Sequence, residues 1–210
     1  QAIDALAALH AGHWGRAERV TELTGRGMYT GSPEGRQGWT EKGWEGFLRI
    51  SGDRDAEYQV LEKLPTNITK LLRDCSPASH TLLHLDIRLD NMMFYEGNLA
   101  KEPVIIDWSS AGGGPAADGL AFFIAQNMTP EIRRECEWSL VQRYYDGLVD
   151  RGVTNYSWDA LEIDYRRSLL GSMFMPIAWG GGDLENDLRT SKGDGPEVEA
   201  AAERLRIWLP

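Results

Sequence analysis

Cysteine is nearly absent from the 210 residues: only Cys75 and Cys136 occur, far apart and in no C-x-x-C pair. That excludes a disulfide framework and a thiolate metal knuckle, and two reduced thiols in or near the core are expected. No run approaches the ~18 consecutive apolar residues of a membrane span. The opening Gln1-Ala2-Ile3-Asp4-Ala5-Leu6 carries neither the basic nor the apolar region of a secretory leader, so a cytoplasmic protein is expected. Basic charge is also short. Against 32 Asp and Glu stand 22 Lys and Arg, a net charge of −10. The average surface would repel a phosphate backbone or an anionic bilayer, so neither nucleic acid nor membrane is an expected partner.

What remains is an ordinary globular composition, 42% hydrophobic and 26% charged, over a length that suits one domain or one large lobe. The chain has no initiator Met and opens inside a helical pattern, which predicts a fragment of a longer protein. Residues 2 to 20 read as one helix, with Ile3, Leu6, Leu9, His10 and Trp14 on its apolar face. From Gly25 to Gly46 seven glycines and scattered aromatics predict a long irregular connection that packs through Trp39 and Trp44. Helix returns over 55 to 74, with Tyr58, Leu61, Leu64, Ile68, Leu71 and Leu72 buried and Pro65 as a kink.

Three short strand-like runs follow: Thr81 to His84, Asn91 to Tyr95 and Pro103 to Asp107. The turn Glu96-Gly97-Asn98 joins the last two into a small hairpin. Beyond Gly112-Gly113-Gly114-Pro115 helices are expected at 116–127, 130–151, 158–179 and 195–208. Thr129 and Ser157 read as N-caps and Gly152 as a C-cap. Residues 180–196, rich in Gly and Asp, predict a surface loop. The expected class is α+β and mainly helical.

Chemistry concentrates in His84-Leu85-Asp86-Ile87-Arg88-Leu89-Asp90-Asn91, followed by Asp107. Phosphoryl transfer to an alcohol needs a carboxylate that orients the hydroxyl and takes its proton. It also needs oxygen ligands for the divalent cation on the phosphates. An Asp and an Asn five positions apart on one tight loop suit those tasks, Asp86 facing the acceptor and Asn91 offering its amide oxygen to the metal. Asp107, at the end of a neighbouring strand, completes the cation site. The combined pattern is far more specific than any of its parts.

Other features carry blander readings. His10 and His13, without a third ligand, make a poor zinc site and are expected to pack. Gly25-Arg26-Gly27 and Gly180-Gly181-Gly182 lack the strand and Lys-Ser/Thr helix of a phosphate loop. Most of the eight tryptophans are assigned to packing rather than to a cation cage. Asp183, Glu185, Asp187, Asp194, Glu197 and Glu199 read as a solvated acidic face, with a wall for a cationic substrate as the sharper alternative.

The loop resembles that of the aminoglycoside phosphotransferase and choline kinase group of the protein-kinase-like superfamily. Within that group the chain is most similar to bacterial and ecdysteroid-kinase-like phosphotransferases with an H-G-D-L-R-x-D-N loop. Ala5 to His10 resembles the helix that begins the C-terminal lobe, and Val104-Ile105-Ile106-Asp107-Trp108 the metal-binding strand end. Gly114-Pro115 with Leu120-Ala121-Phe122-Phe123 is similar to the G-P-x-x-x-D-L-A-Y-F segment.

The resemblance implies a kinase-like C-terminal lobe over 1–210 with the nucleotide-gripping lobe absent. It implies Asp86 as catalytic base, and Asn91 and Asp107 as magnesium ligands that hold ATP. His84 would brace the loop, while Arg88 and Asp90 shape it and touch substrate or phosphate. A small-molecule hydroxyl is the implied acceptor, and surface normally covered by the absent lobe would drive self-association. Two departures stand out. Leu85 replaces the glycine of H-G-D and would force a different backbone if that glycine has positive φ. Asp118 sits one place before the expected Asp, where Gly119 stands. Two rival readings accompany the first: a non-catalytic, pseudokinase-like binding lobe, and a metal-dependent hydrolase built on His84, Asp86 and Asp107. The hydrolase needs a further His or carboxylate cluster that the sequence does not offer.

Overall fold

The computed structural model describes residues 1–25, 33–51, 61–73, 79–98, 101–174 and 177–178. Cys75, the helix expected at 195–208, the 180–196 loop and its acidic residues lie outside them. The described chain is mainly helical with two small antiparallel two-stranded sheets, an α+β arrangement. It divides into two compact units, one of residues 1–30 and 75–169, the other of 31–74 and 170–210. No helix among the described residues is long and apolar enough to cross a membrane.

In the first unit, α1 (Ala2–Gly12) buries Ile3, Leu6, Ala7 and His10, the i, i+3, i+4, i+7 stripe of an amphipathic helix. The single helix expected over 2 to 20 is two. The chain breaks at Gly15, which holds φ +73°, and α2 (Ala17–Thr24) starts afresh. Strand β1 (His80–Leu83) follows and leads into the His84 loop. The expected hairpin is present but shorter than the apolar runs: β2 (Met92–Met93) pairs with β3 (Val104–Ile105).

Strand β4 (Gly112–Pro115) has no counterpart in the sequence reading, yet it pairs along all of β1, from His80↔Pro115 to Leu83↔Gly112. Glycine is a poor strand former, so its pattern hides the strand. The reason for glycine is contact: a Cβ on Gly113 would collide with the Ala17 carbonyl oxygen and lie 2.6 Å from Thr21 Oγ1 of α2. The bare backbone lets a helix lie against the sheet.

Helices α5 (Ala116–Asn127), α6 (Pro130–Asp150) and α7 (Trp158–Ser172) complete this unit's framework. The first two match their expected ranges closely; α7 runs to Ser172, helical backbone recurs at 174 and 177–178, and 175–176 and 179 lie outside the described residues. Thr129 Oγ1 accepts from the Ile132 amide and Ser157 Oγ from that of Ala160, so both expected N-caps form. Leu6, Leu120, Ile124, Val141, Leu148 and Leu161 are almost wholly buried. Each large aliphatic side chain so buried contributes roughly 1.5–3 kcal/mol relative to exposure.

The second unit contains α3 (Pro33–Ser51) and α4 (Leu64–Arg73), which pack on each other around Phe47, Leu64, Ile68 and Ile177. The irregular connection expected up to Gly46 is thus largely helix. Its glycines misled because one of them serves packing, since a Cβ on Gly43 would meet the Ile177 carbonyl. Trp44 packs on this core as expected, stacked on Phe47 at 5.5 Å between ring centroids, but Trp39 faces solvent. The helix expected over 55 to 74 lies outside the described residues before 61 and is interrupted by a turn at 62–63, after which Pro65 is the second residue of α4, where its missing N–H costs nothing.

Candidate functional site

His84, Asp86, Arg88, Asp90, Asn91 and Asp107 all lie in the first unit, on the segment enclosed by the β1–β4 pairing. His84 follows β1 directly and is buried, 1% exposed. Its Nε2 lies 2.8 Å from the Ile106 carbonyl oxygen, which can only accept, so Nε2 carries the proton. Nδ1 is then a bare acceptor, buried without a partner. The ring stands edge-on to Trp108 at 4.8 Å, and Trp108 Nε1 donates to the Ile105 carbonyl. His84 therefore fastens the start of the loop to the residue before Asp107.

Two non-glycine residues among those described hold positive φ, Leu85 at +63° and Asp107 at +59°. They flank the proposed chemistry on both strands. Leu85 itself enters the left-handed region that glycine adopts most readily. That region disfavours a Cβ by about 1–2 kcal/mol, and aspartate tolerates it better than leucine does. Such outliers persist where the surroundings over-determine the backbone, and they cluster at functional sites.

Asp86 and Asn91 are joined directly. Asn91 Nδ2 donates to the Asp86 carbonyl at 2.8 Å and to Asp86 Oδ2 at 3.1 Å. Both partners are acceptors, which fixes the amide orientation and leaves Oδ1 as the face turned away from these bonds. Arg88 lies across the same carboxylate, Nε 3.1 Å from Oδ1 and Nη2 3.4 Å from Oδ2, with Asp90 at 3.9 Å from Nη1. Asp86 and Arg88 each keep about a third of their side chains exposed, so this charge pair borders solvent.

Asp107 stands beyond β3, exposed. The Ile106 amide donates to the Asn91 carbonyl at 2.9 Å, which sets the backbone before Asp107 beside that of Asn91. Ser109 Oγ donates to Asp107 Oδ1 at 2.7 Å. That hydrogen bond, then the Ser109 amide, holds the Asp107 pKa below its ordinary value, with smaller help from the charge of Arg88. Asp107 stays ionised, a hard oxygen donor, at neutral pH.

Asp118 is buried and accepts from Ser168 Oγ of α7 at 2.6 Å. A tie to the loop that sequence reasoning did not foresee comes from Asn127 at the end of α5. Its Oδ1 accepts from the Leu89 amide at 2.8 Å while its Nδ2 donates to the Phe123 carbonyl at 2.7 Å. An asparagine at a helix end reads as a cap, and no local signal links it to a loop 38 residues earlier. Leu89, Phe123, Asn127, Met128 and Leu140, with Gln1 to Ile3 and Arg143, line a cavity of about 350 Å³ that is mostly apolar.

The donor chemistry suits a hard cation: an uncommitted amide oxygen at Asn91 and an ionised carboxylate at Asp107. Among the described residues no three His, Cys, Asp or Glu side chains gather as a metal-holding group. With His84 Nε2 committed to a carbonyl, that weighs against the hydrolase alternative. The model of the ecdysteroid kinase-like family, part of the protein-kinase-like superfamily, matches residues 5–153. No curated protein matches the chain.

Proposed function

We propose a phosphotransferase activity on the premise that this chain belongs to the ecdysteroid kinase-like family. In this reading the γ-phosphate of ATP passes to a hydroxyl of a small molecule. Asp86 orients the acceptor hydroxyl and takes its proton as the new P–O bond forms and the bond from the γ-phosphorus to the bridging oxygen breaks, releasing ADP. Asn91 Oδ1 and Asp107 hold magnesium, which when bound would neutralise charge on the phosphates. Arg88, already against Asp86, supplies a positive charge for a phosphate oxygen. The apolar cavity beside Leu89 borders the loop that carries Asp86 and suits the body of an uncharged acceptor.

The observation that carries this reading is the double hydrogen bond from Asn91 Nδ2 to Asp86. It joins the base to the proposed ligand and keeps the amide oxygen for the cation. In the full-length protein, Asp86→Asn should lower phosphate transfer from γ-labelled ATP by at least about 10²-fold with nucleotide affinity little changed. Asp107→Ala should abolish the magnesium-dependent part of ATP binding measured by calorimetry. Transfer at the parental rate in the Asp86 variant would overturn the assignment. One observation favours the non-catalytic alternative: Arg88 neutralises Asp86 in the free site. Magnesium-ATP binding without transfer to any hydroxyl compound would select it.

A further inference from the structure

We propose that Asn127 is a positioning residue, the side chain that sets the turn between Asp86 and Asn91. The proposal rests on the phosphotransferase reading for its purpose but not for its test. The turn Leu89–Asn91 is a single 3-10 turn, and its first amide has no partner within the turn. Asn127 Oδ1 supplies that partner at 2.8 Å, from a different element. Its Nδ2 is anchored to the Phe123 carbonyl, so the acceptor is held by the helix behind it. At the other end of the turn stands Asn91, buried, with its amide on Asp86. One amide on α5 therefore fixes where the turn begins, and the turn fixes how Asn91 meets Asp86.

His84 secures the loop at the opposite end, through Ile106. Asn127 thus governs the part of the loop between the base and the ligand. A side chain that ties down a catalytic constellation from a rigid element acts on geometry within a fraction of an ångström, where transfer rates are sensitive.

The test reads the Asn91 side-chain amide by nuclear magnetic resonance, because that group reports its own bond to Asp86. Asn127→Ala should move the Asn91 Nδ2 protons to a free-amide position and speed their solvent exchange by about tenfold or more, as one hydrogen bond's loss allows. Asn127→Asp keeps an oxygen for the Leu89 amide but places a negative charge at the C-terminus of α5, which destabilises it. It should lower the Tm and still preserve the parental Asn91 signal. A merely structural role predicts the reverse coupling, with the signal following Tm in both variants, and that result would overturn the proposal. So would an unchanged Asn91 signal in Asn127→Ala. Manganese binding, followed by paramagnetic resonance in the parent and in Asp107→Ala, is read in parallel. Equal affinity there sinks the metal reading, while the Asn91 signal decides the role of Asn127 regardless.

Discussion

At Leu85 a branched side chain occupies a backbone well that favours glycine, and the usual order of substitutions should invert there. Leu85→Ala keeps the left-handed penalty and loses half-buried apolar contact. Leu85→Gly loses the same contact but relieves about 1 kcal/mol of strain. The glycine variant should therefore be the more stable of the two by about 1 kcal/mol in urea unfolding, although glycine is ordinarily the worse replacement. Alanine ahead of glycine would refute the strain. The residues of the site were legible because chemistry demands particular types at particular spacings, and Asp86, Asn91 and Asp107 stand on neighbouring backbone of one segment. The left-handed turn at Leu85 was not legible. Leucine carries no preference for it, and the surroundings impose what the residue resists.

Among the elements, helices with an apolar stripe and a capping residue were readable, as α5 and α6 illustrate. Those rich in glycine were not. The sequence reading took α3 for a loop and passed over β4, because glycine's local preference says nothing of a neighbour pressed against it. The energetic consequence can be measured. Gly113→Ala would drive a methyl into the Ala17 carbonyl and Thr21, so either α2 or the β1–β4 ladder must shift. A loss of about 1–3 kcal/mol is expected. Gly38→Ala, in α3 with open space around it, should instead gain up to about 1 kcal/mol. Equal effects of the two in denaturant titrations would show that β4 is not pinned by α2.

For the molecule as a whole, acid should be the weak direction. His10 is fully buried, its Nδ1 2.6 Å from the Tyr144 hydroxyl, and burial holds its pKa down to about 3. The unfolded histidine titrates near 6.5, so between those values the unfolded state binds the extra proton and stability falls as pH drops. Burial also lowers the His80 pKa, which adds in the same sense. From pH 7.5 to 5 the loss traceable to His10 should be about 2 kcal/mol, at ~1.4 kcal/mol per unit below 6.5. Relief of the −10 net charge acts the other way, but it is spread over a surface screened by salt. The urea midpoint should fall across that range in the parent and markedly less in His10→Gln; parallel curves would exclude His10 as the cause. A last consequence follows from β1 pairing with β4, residues 80–83 against 112–115. That ladder closes the intervening chain into a ring with both ends fastened, and β2–β3 forms a cross-brace within it. A single nick at the exposed Gly97 bend would therefore sever the covalent path from Asn91 to Asp107 and leave both halves tethered where they were.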